Sequence, residues 1–210
     1  MNDELVFLSS PSVLEGQEHP LLVLLHGFGS DEKDLMALRP YIDPKWAMVS
    51  IRAPFPQGAG FRWYALESVH SPDRDEMDRS FLALRGWFEQ LTSRFPRVSP
   101  RATVIGGFSQ GAAMALALGL FEPQVQAAGI LVLSGYLPNL PQSASTWQKV
   151  PVFWGHGSQD TVLPYVEAEK GRQRLLEEGL AVDFHSYEMG HEVVEDELSD
   201  AVSWLKQFGV

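Results

Sequence analysis

The stretch Thr103-Val-Ile-Gly-Gly-Phe-Ser109-Gln-Gly-Ala-Ala113 indicates both the architecture and the chemistry of this 210-residue chain. It joins an apolar, β-branched run to an alanine-rich run through the pattern Gly107-x-Ser109-x-Gly111. In that context the pattern predicts a serine on a sharp strand-to-helix turn, with its hydroxyl exposed at the start of the helix. We therefore predict that Ser109 is a nucleophile. The alternative is a helix-capping serine after a glycine-rich turn.

Further apolar runs flank this one along the chain, and most are continuous rather than alternating. Continuous runs of this length are typical of strands that are buried on both faces of a sheet. Helical patterns lie between them, and strands that alternate with helices predict an α/β fold with a mostly parallel central sheet covered on both faces. We expect a single domain over residues 1–210. The runs are Leu21–Leu25, Trp46–Ile51, Ala128–Leu133, Val150–Trp154 and Val182–Tyr187, with a weaker candidate at Leu5–Leu8.

Four segments carry the helical patterns. In such sheets, functional residues collect at the carboxyl ends of the strands, directly after each apolar run. The helical segments are the stripe Phe81–Phe95 that Pro96 ends, the run Gln110–Phe121, the segment from Pro164 to Gly179, and the stripe Val194–Leu205.

Composition excludes several classes of function. The chain has 16 basic and 27 acidic residues, a net charge of −11, which disfavours nucleic acid and anionic membrane surfaces as partners. It has no cysteine, so disulfides, thiol nucleophiles and cysteine-bound metals are excluded. The most apolar run, Ala112–Phe121, is about half the ~20 residues of a membrane span. With an acidic start and no signal-peptide pattern, a cytoplasmic location without stable membrane insertion is expected.

A serine hydroxyl needs a base, and the histidine of such a site follows the acid along the chain. Only His185 and His191 of the six histidines come late enough. His185 lies inside a predicted strand, which favours a packing role. His191 follows the same strand after Met189-Gly190, at the end where the chemistry is expected, so it is the predicted base.

The acid that orients the histidine is expected between Ser109 and His191. Residues 123–159 contain neither Asp nor Glu, and most later acids fall on a predicted helix or strand. Asp160 is the exception because it lies in a loop directly after a strand. We predict that it accepts a hydrogen bond from His191; the alternative is a cap for the helix that begins near Pro164.

Hydrolysis through a tetrahedral intermediate also needs two N–H donors for the oxyanion. One is expected from Gln110, directly after the nucleophile, and the other from the loop after Leu21–Leu25. That loop reads His26-Gly27-Phe28-Gly29, and we assign the second donor to the N–H of Phe28. His26 is then expected to bond the backbone of its own loop.

Two long connections, Ala53–Asp75 and Gly135–Lys149, leave the same ends of the strands and should border the site. Their apolar side chains are expected to line an acyl groove, and plain surface packing is the alternative. The predicted substrate-binding residues are Trp63, Leu137 and Leu163, with Leu140 and Trp147 nearby.

These motifs resemble the α/β-hydrolase superfamily and, within it, the phospholipase/carboxylesterase family that includes acyl-protein thioesterases. The resemblance implies Ser109, Asp160 and His191 as the catalytic triad, the N–H groups of Phe28 and Gln110 as oxyanion donors, and no large lid domain. It covers nearly the whole chain and rests on Leu24-Leu-His-Gly-Phe-Gly29, Ala53-Pro54, Arg62-Trp63-Tyr64, Gly106-Gly-Phe-Ser-Gln-Gly-Ala112, His156-Gly-Ser-Gln-Asp160 with Val162 and Pro164, and Gly190-His191.

The expected function is a serine carboxylic-ester hydrolase that cleaves short- to medium-chain acyl esters without a cofactor or metal. Thioesterase members carry an Asp soon after the H-G-x-G glycine, whereas here Ser30 comes first and Asp31 is shifted by one. Acyl-protein thioesterase and lysophospholipase activity are therefore alternatives on the same triad, and a non-catalytic binding protein is a remote one. The expected partner is a small-molecule acyl ester; a homodimer is left open.

Overall fold

The computed structural model describes residues 5–68, 71–138 and 147–209. Five α-helices and eleven strands are assigned there, with 3₁₀ turns at Leu35–Tyr41 and Lys206–Phe208. The helices are α1 (Arg74–Glu89), α2 (Leu91–Arg94), α3 (Gln110–Phe121), α4 (Tyr165–Glu177) and α5 (Glu195–Leu205). The strands are β1 (Phe7–Ser10), β2 (His19–Leu25), β3 (Ala47–Ile51), β4 (Phe55–Gln57), β5 (Gly60–Arg62), β6 (Leu66–Ser68), β7 (Ser71–Pro72), β8 (Val98–Phe108), β9 (Gly129–Leu133), β10 (Val152–Gly157) and β11 (Val182–Tyr187).

Seven of the strands form the central sheet, in the order β1-β3-β2-β8-β9-β10-β11. Every neighbouring pair is parallel except β1 and β3, which are antiparallel at the sheet edge. The predicted α/β architecture is confirmed, and each predicted run contributes a strand. The limits differ most at β8. This strand begins five residues before the predicted apolar run, because Val98 already pairs with His19 of β2.

The continuous apolar runs are explained by the two layers that cover the sheet. In β2, Leu21, Val23 and Leu25 face the larger core, against α1, α3 and α4. Leu22 and Leu24 face a second core, which α5 and the 3₁₀ turn after β2 cover. Both faces of the strand therefore exclude water, and no alternation of polar residues appears along it.

One prediction about local structure is wrong. The stripe Phe81–Phe95 is not one helix, because α1 ends at Glu89 and the short α2 follows after Gln90. The sequence also did not indicate that the described residues of the connection Ala53–Asp75 form two small antiparallel sheets, β4–β5 and β6–β7. Among the described residues, none of the helices has both the length and the apolar character that spanning a bilayer requires.

Candidate active site

Ser109 lies on the turn between β8 and α3. Its backbone has φ 54° and ψ −118°, a conformation that L-residues rarely adopt. The turn is held by the N–H of Ser109, which donates to the carbonyl oxygen of Leu133 at 2.9 Å. Gly111 is needed beyond it because a Cβ at that position would overlap the carbonyl oxygen of Leu25. The result is a serine raised at the carboxyl edge of the sheet, at the N-terminus of α3.

The structure brings the three residues of the predicted triad together. His191 Nε2 lies 2.9 Å from Ser109 Oγ, and His191 Nδ1 lies 2.6 Å from Asp160 Oδ2. The His191 side chain keeps 15 % of its surface exposed, whereas the Asp160 side chain has none. In this geometry the Nδ1–H donates to the carboxylate and Nε2 is left to accept a proton from the serine.

Asp160 is fixed from its other side by the backbone of its own loop. Its Oδ1 accepts hydrogen bonds from the N–H groups of Val162 at 2.9 Å and Leu163 at 2.8 Å. These residues precede α4, whose N-cap is Pro164 without a side-chain bond, so Asp160 closes its own loop and does not cap the helix as the alternative predicted. Two different sets of donors thus satisfy this buried carboxylate.

His156 lies near the carboxylate, at the end of β10 that leads into the loop of Asp160. Its Nε2 is 2.9 Å from the carbonyl oxygen of Leu163 and 3.6 Å from Asp160 Oδ2. Burial lowers the pKa of His156, while the bond to Leu163 and the charge of Asp160 oppose that effect. His156 is therefore a buried neutral ring that bonds the backbone of the loop. It leaves Asp160 Oδ2 to His191.

The loop that follows β2 lies directly against the nucleophile. A Cβ at Gly27 would stand 3.0 Å from Phe108 Cδ1 and 3.5 Å from Ser109 Cβ. Among the described residues, no acceptor is bonded to the N–H of Phe28 or to that of Gln110. An oxyanion site requires two such backbone N–H groups, without an acceptor of their own, beside the nucleophile.

His26 bonds the backbone of its own loop, as predicted. Its Nδ1 lies 2.8 Å from the carbonyl oxygen of Gly27, and its Nε2 accepts the N–H of Ala53 at 3.0 Å. Burial lowers the pKa of His26, so the ring stays neutral with its proton on Nδ1. This tautomer joins the loop after β2 to the end of β3.

The sequence led us to expect Trp63 in a substrate groove, but the structure places it in the core. It is fully buried, and its indole N–H donates to the carbonyl oxygen of His26 at 2.9 Å. Its backbone N–H donates to Gln110 Oε1 at 2.9 Å, and Gln110 Nε2 donates to the carbonyl oxygen of Tyr64 at 2.7 Å. Trp63 and the Gln110 side chain therefore link the loop after β2 to the start of α3, the two segments that carry the predicted oxyanion donors.

The other predicted groove residues are also more buried than expected. Leu163 is 2 % exposed and packs with Ala113 and Tyr136. Leu137 is half-buried and packs on the larger core, as Trp147 does. The prediction for Leu140 lies outside the described residues.

Sequence reasoning missed two exposed apolar side chains in the loops that carry the site. Phe28 is 45 % exposed and follows Gly27, and Val162 is 68 % exposed two residues after Asp160. Their position in motifs already assigned to the chemistry was the available signal. Large exposed apolar groups in such loops offer contact surface to an apolar substrate chain.

Two tyrosines join the segments that follow β3 and β9. The hydroxyls of Tyr64 and Tyr136 are 2.5 Å apart, and both side chains are buried. Burial raises the pKa of Tyr136 to about 12 and holds the pKa of Tyr64 well above its usual range. The neutral pair fastens the hairpin region after β3 to the segment after β9.

His185 lies apart from the triad, on β11. Its ring stacks on Phe153, with ring centroids 5.2 Å apart, and its Nε2 lies 2.9 Å from Asp183 Oδ1. This is the packing role predicted for it. Within the described residues, no group of three or more His, Asp or Glu side chains is arranged to hold a metal ion.

The chain is similar to proteins named as a thioesterase, a carboxylesterase and an esterase. Acyl-protein thioesterase 1 of Yarrowia lipolytica is 29 % identical over 206 residues, covering 89 % of this chain and 90 % of that protein. A probable carboxylesterase of Arabidopsis thaliana, SOBER1-like, is 32 % identical and covers 95 % and 84 %. The crystal structure of esterase PE8 superposes with a TM-score of 0.85 at 30 % identity, covering 98 % and 99 %.

Residues 11–208 match the family described as Phospholipase/Carboxylesterase. The match extends over nearly all of the chain, and the α/β-hydrolase fold that the sequence motifs implied is confirmed. This chain belongs to the phospholipase/carboxylesterase family.

Proposed function

We propose that this protein is a serine carboxylesterase that hydrolyses short- to medium-chain acyl esters through an acyl-enzyme. The observation that carries the proposal is the continuous hydrogen-bonded series from Asp160 through His191 to Ser109, with separations of 2.6 and 2.9 Å. Such a series activates a serine hydroxyl by giving its proton a neutral, oriented acceptor. Family membership and relatives named carboxylesterase support the same reaction class.

The proposed reaction uses only groups of this chain. Ser109 Oγ attacks the ester carbonyl while His191 Nε2 takes its proton, and the resulting imidazolium is stabilised by Asp160. The N–H groups of Phe28 and Gln110 bind the oxyanion. The imidazolium then protonates the leaving alcohol. Water, deprotonated by the same ring, releases the carboxylic acid and restores Ser109.

The proposal for the substrate rests on the flanks of the site. The connection from the end of β9 to the start of β10, residues 134–151, is too short for a large lid domain. Phe28 and Val162 offer exposed apolar surface in the two loops that carry the oxyanion donor and Asp160, which suits an acyl chain of short or medium length. We assign them as substrate contacts in place of the buried Trp63 and Leu163.

A panel of p-nitrophenyl acetate, butyrate, octanoate and palmitate esters tests the proposal, together with labelling by a fluorophosphonate. The wild-type protein is expected to hydrolyse the shorter esters and to be labelled. Ser109→Ala should fold normally, take no label and lose at least three orders of magnitude in turnover. A Ser109→Ala variant that keeps more than a few per cent of turnover would mean another nucleophile.

A thioesterase or lysophospholipase activity is the second candidate, because relatives named acyl-protein thioesterase 1 match the chain. The triad determines acyl transfer but not the leaving group. Parallel assays on a palmitoyl-thioester and a lysophosphatidylcholine give the order of kcat/KM. Labelling without hydrolysis of any of these substrates would favour a binding protein of hydrolase fold.

A cytoplasmic location and a homodimeric state also remain proposals. Cell fractionation and sedimentation equilibrium of the purified protein test them separately. Neither result affects the assignment of the triad.

A further inference from the structure

The most deeply buried carboxyl outside the triad lies in the first turn of α5. The side chain of Glu197 has no exposed surface, and within the described residues neither of its oxygens has a hydrogen-bond partner. Burial alone raises the pKa of Glu197 to about 8, so the group is neutral at pH 7. A buried acid without partners is costly and rare, which calls for a reason for its position.

The carboxyl of Glu197 rests on Gly155, in the middle of β10. A Cβ at residue 155 would overlap the carboxyl, so the acid occupies a recess that a glycine leaves open. Gly155 also accepts a hydrogen bond from the N–H of Ser134 at 2.9 Å. Ser134 follows Leu133, whose carbonyl oxygen holds the Ser109 turn. The recess therefore lies on β10, the strand that leads to Asp160, and is linked through the end of β9 to the Ser109 turn.

Backbone hydrogen bonds hold the segment before His191, and half-buried Val193 packs on the second core after it. Before His191, the N–H of Ser158 donates to Tyr187 O at 2.8 Å, and the N–H of Gln159 donates to Met189 O at 3.1 Å. After it, residues 192–196 are exposed or half-buried. Glu197 is the first fully buried residue that follows His191 in the chain.

We propose that Glu197 is a positioning residue for His191. Its neutral carboxyl, seated against Gly155, determines where α5 begins and so holds the His191 ring within reach of Ser109. The inference rests on the hydrolase function proposed above.

The titratable groups near the recess belong to β11 and α5. From β11, Tyr187 donates its hydroxyl to Asp200 Oδ2 at 2.9 Å, and burial together with this hydrogen bond raises the pKa of Tyr187. His185 lies between Asp183 at 2.9 Å and Asp200 at 3.6 Å. Gly155 of β10 does not titrate. Burial, rather than these charges, is what keeps Glu197 protonated.

The test compares Glu197→Ala and Glu197→Gln with Glu195→Gln, which makes the same change at an exposed site in the same helical turn. The readouts are kcat and KM on p-nitrophenyl butyrate, the rate of fluorophosphonate labelling, and the melting temperature. We expect Glu197→Ala to lower kcat and the labelling rate about tenfold, with KM within twofold. Glu197→Gln and Glu195→Gln should stay within twofold of wild type at pH 7.

The pH profile separates positioning from mere stability. Between pH 7 and 9.5, wild type and Glu195→Gln should lose kcat with a midpoint near 8, where Glu197 ionises. Glu197→Gln should lack this decline, because its neutral amide does not titrate. All rates are measured at 20 °C, below the melting transition of each variant.

The inference is wrong if Glu197→Ala keeps the wild-type kcat and only melts lower. If Glu197→Ala does not fold, identical alkaline profiles for wild type and Glu197→Gln overturn it. A wild-type protein that is labelled but hydrolyses no ester contradicts the proposed function alone, since labelling rates still test the positioning. A protein that does neither contradicts both.

Discussion

Two buried carboxyls lie on either side of the segment that carries His191, and they solve the problem of burial in opposite ways. Asp160 accepts two backbone N–H groups on one oxygen and His191 on the other. Glu197 has no hydrogen-bond partner among the described residues and remains protonated, with a pKa raised to about 8. Hydrogen-bond donors allow a buried acid to keep its charge, and without them it gives the charge up.

The difference teaches which of the two can take part in chemistry. A carboxylate with its charge in place can stabilise an imidazolium that forms during turnover. A neutral carboxyl can fill space and set a distance, but it offers no field to a developing cation. Burial alone would not have distinguished the two residues, whereas the count of donors does.

The largest effect is expected from Asp160→Asn, which removes the charge and keeps the shape. The amide oxygen can still accept the N–H groups of Val162 and Leu163, but the NH₂ group then faces His191 Nδ1 and favours the wrong tautomer. We expect kcat on p-nitrophenyl butyrate to fall by about three to four orders of magnitude with little change in melting temperature. Asp183→Asn, the same change on exposed β11, is the control and should keep full activity. A loss below tenfold in Asp160→Asn would mean that its charge does not act in turnover.

A change of a few kcal/mol is expected in how the stability of Glu197→Gln depends on pH. In the unfolded chain this acid ionises near pH ~4.3, whereas in the folded protein it does so at about 8. Between these values the wild type must take up a proton to fold, so its stability falls by up to about 1.4 kcal/mol per pH unit. The contribution of protonated Glu197 to the free energy of unfolding is therefore complete below pH ~4.3 and is lost as the pH rises through about 8.

Urea unfolding of both proteins at pH 5, 6.5, 8 and 9 measures this difference. The free energy of Glu197→Gln minus that of wild type should rise from pH 5 to 8 and level off beyond. Charges common to both proteins, including the His185 cluster, cancel in the comparison. A difference that stays constant with pH would show that Glu197 ionises as readily in the folded chain as in the unfolded one.

A smaller effect, about 1–3 kcal/mol, is expected for Gly155→Ala, because its methyl group competes with the Glu197 carboxyl for one recess. In the Glu197→Ala background the methyl group enters space that is already vacated. The same change should then cost less than about 1 kcal/mol. A double-mutant cycle by urea unfolding gives the coupling directly. Additive costs would place the carboxyl elsewhere than against Gly155.

The smallest effect is expected at the tyrosine pair, where both groups already have a partner. Tyr136→Phe leaves the buried hydroxyl of Tyr64 unpaired and should cost about 1–2 kcal/mol. The double variant Tyr64→Phe/Tyr136→Phe should recover part of that loss, since no unpaired hydroxyl remains. Thermal unfolding of the three variants measures it. A double variant less stable than both singles would indicate further partners for the hydroxyls.

The sequence predicted well those features that depend on local pattern. Continuous apolar runs marked the central strands, and the order of Ser109, Asp160 and His191 followed from chain order and from where each strand ends. It failed where local signals are short or ambiguous. The helical stripe from Phe81 to Phe95 continues across the break at Gln90, and the three-residue strands β4 and β5 are too short to show a period.

Burial at the site was the part that required the tertiary structure. An aromatic residue in a long connection reads equally well as groove or as core, and the bond from Trp63 to the carbonyl of His26 decides it for the core. Glu197 did carry a signal, because it falls three residues after Val194 and four before Ala201 on the apolar stripe of α5. An acid on the apolar stripe of a predicted helix indicates a buried carboxyl.

The backbone of Ser109 has a consequence for evolution and engineering as well as for chemistry. At φ 54° a serine costs the fold on the order of 1–3 kcal/mol that a glycine would not. Ser109→Gly is therefore expected to end turnover and to raise the melting temperature. A search for thermostable variants that screens for folding alone would drift toward dead protein at this position, so any such screen must carry an activity readout.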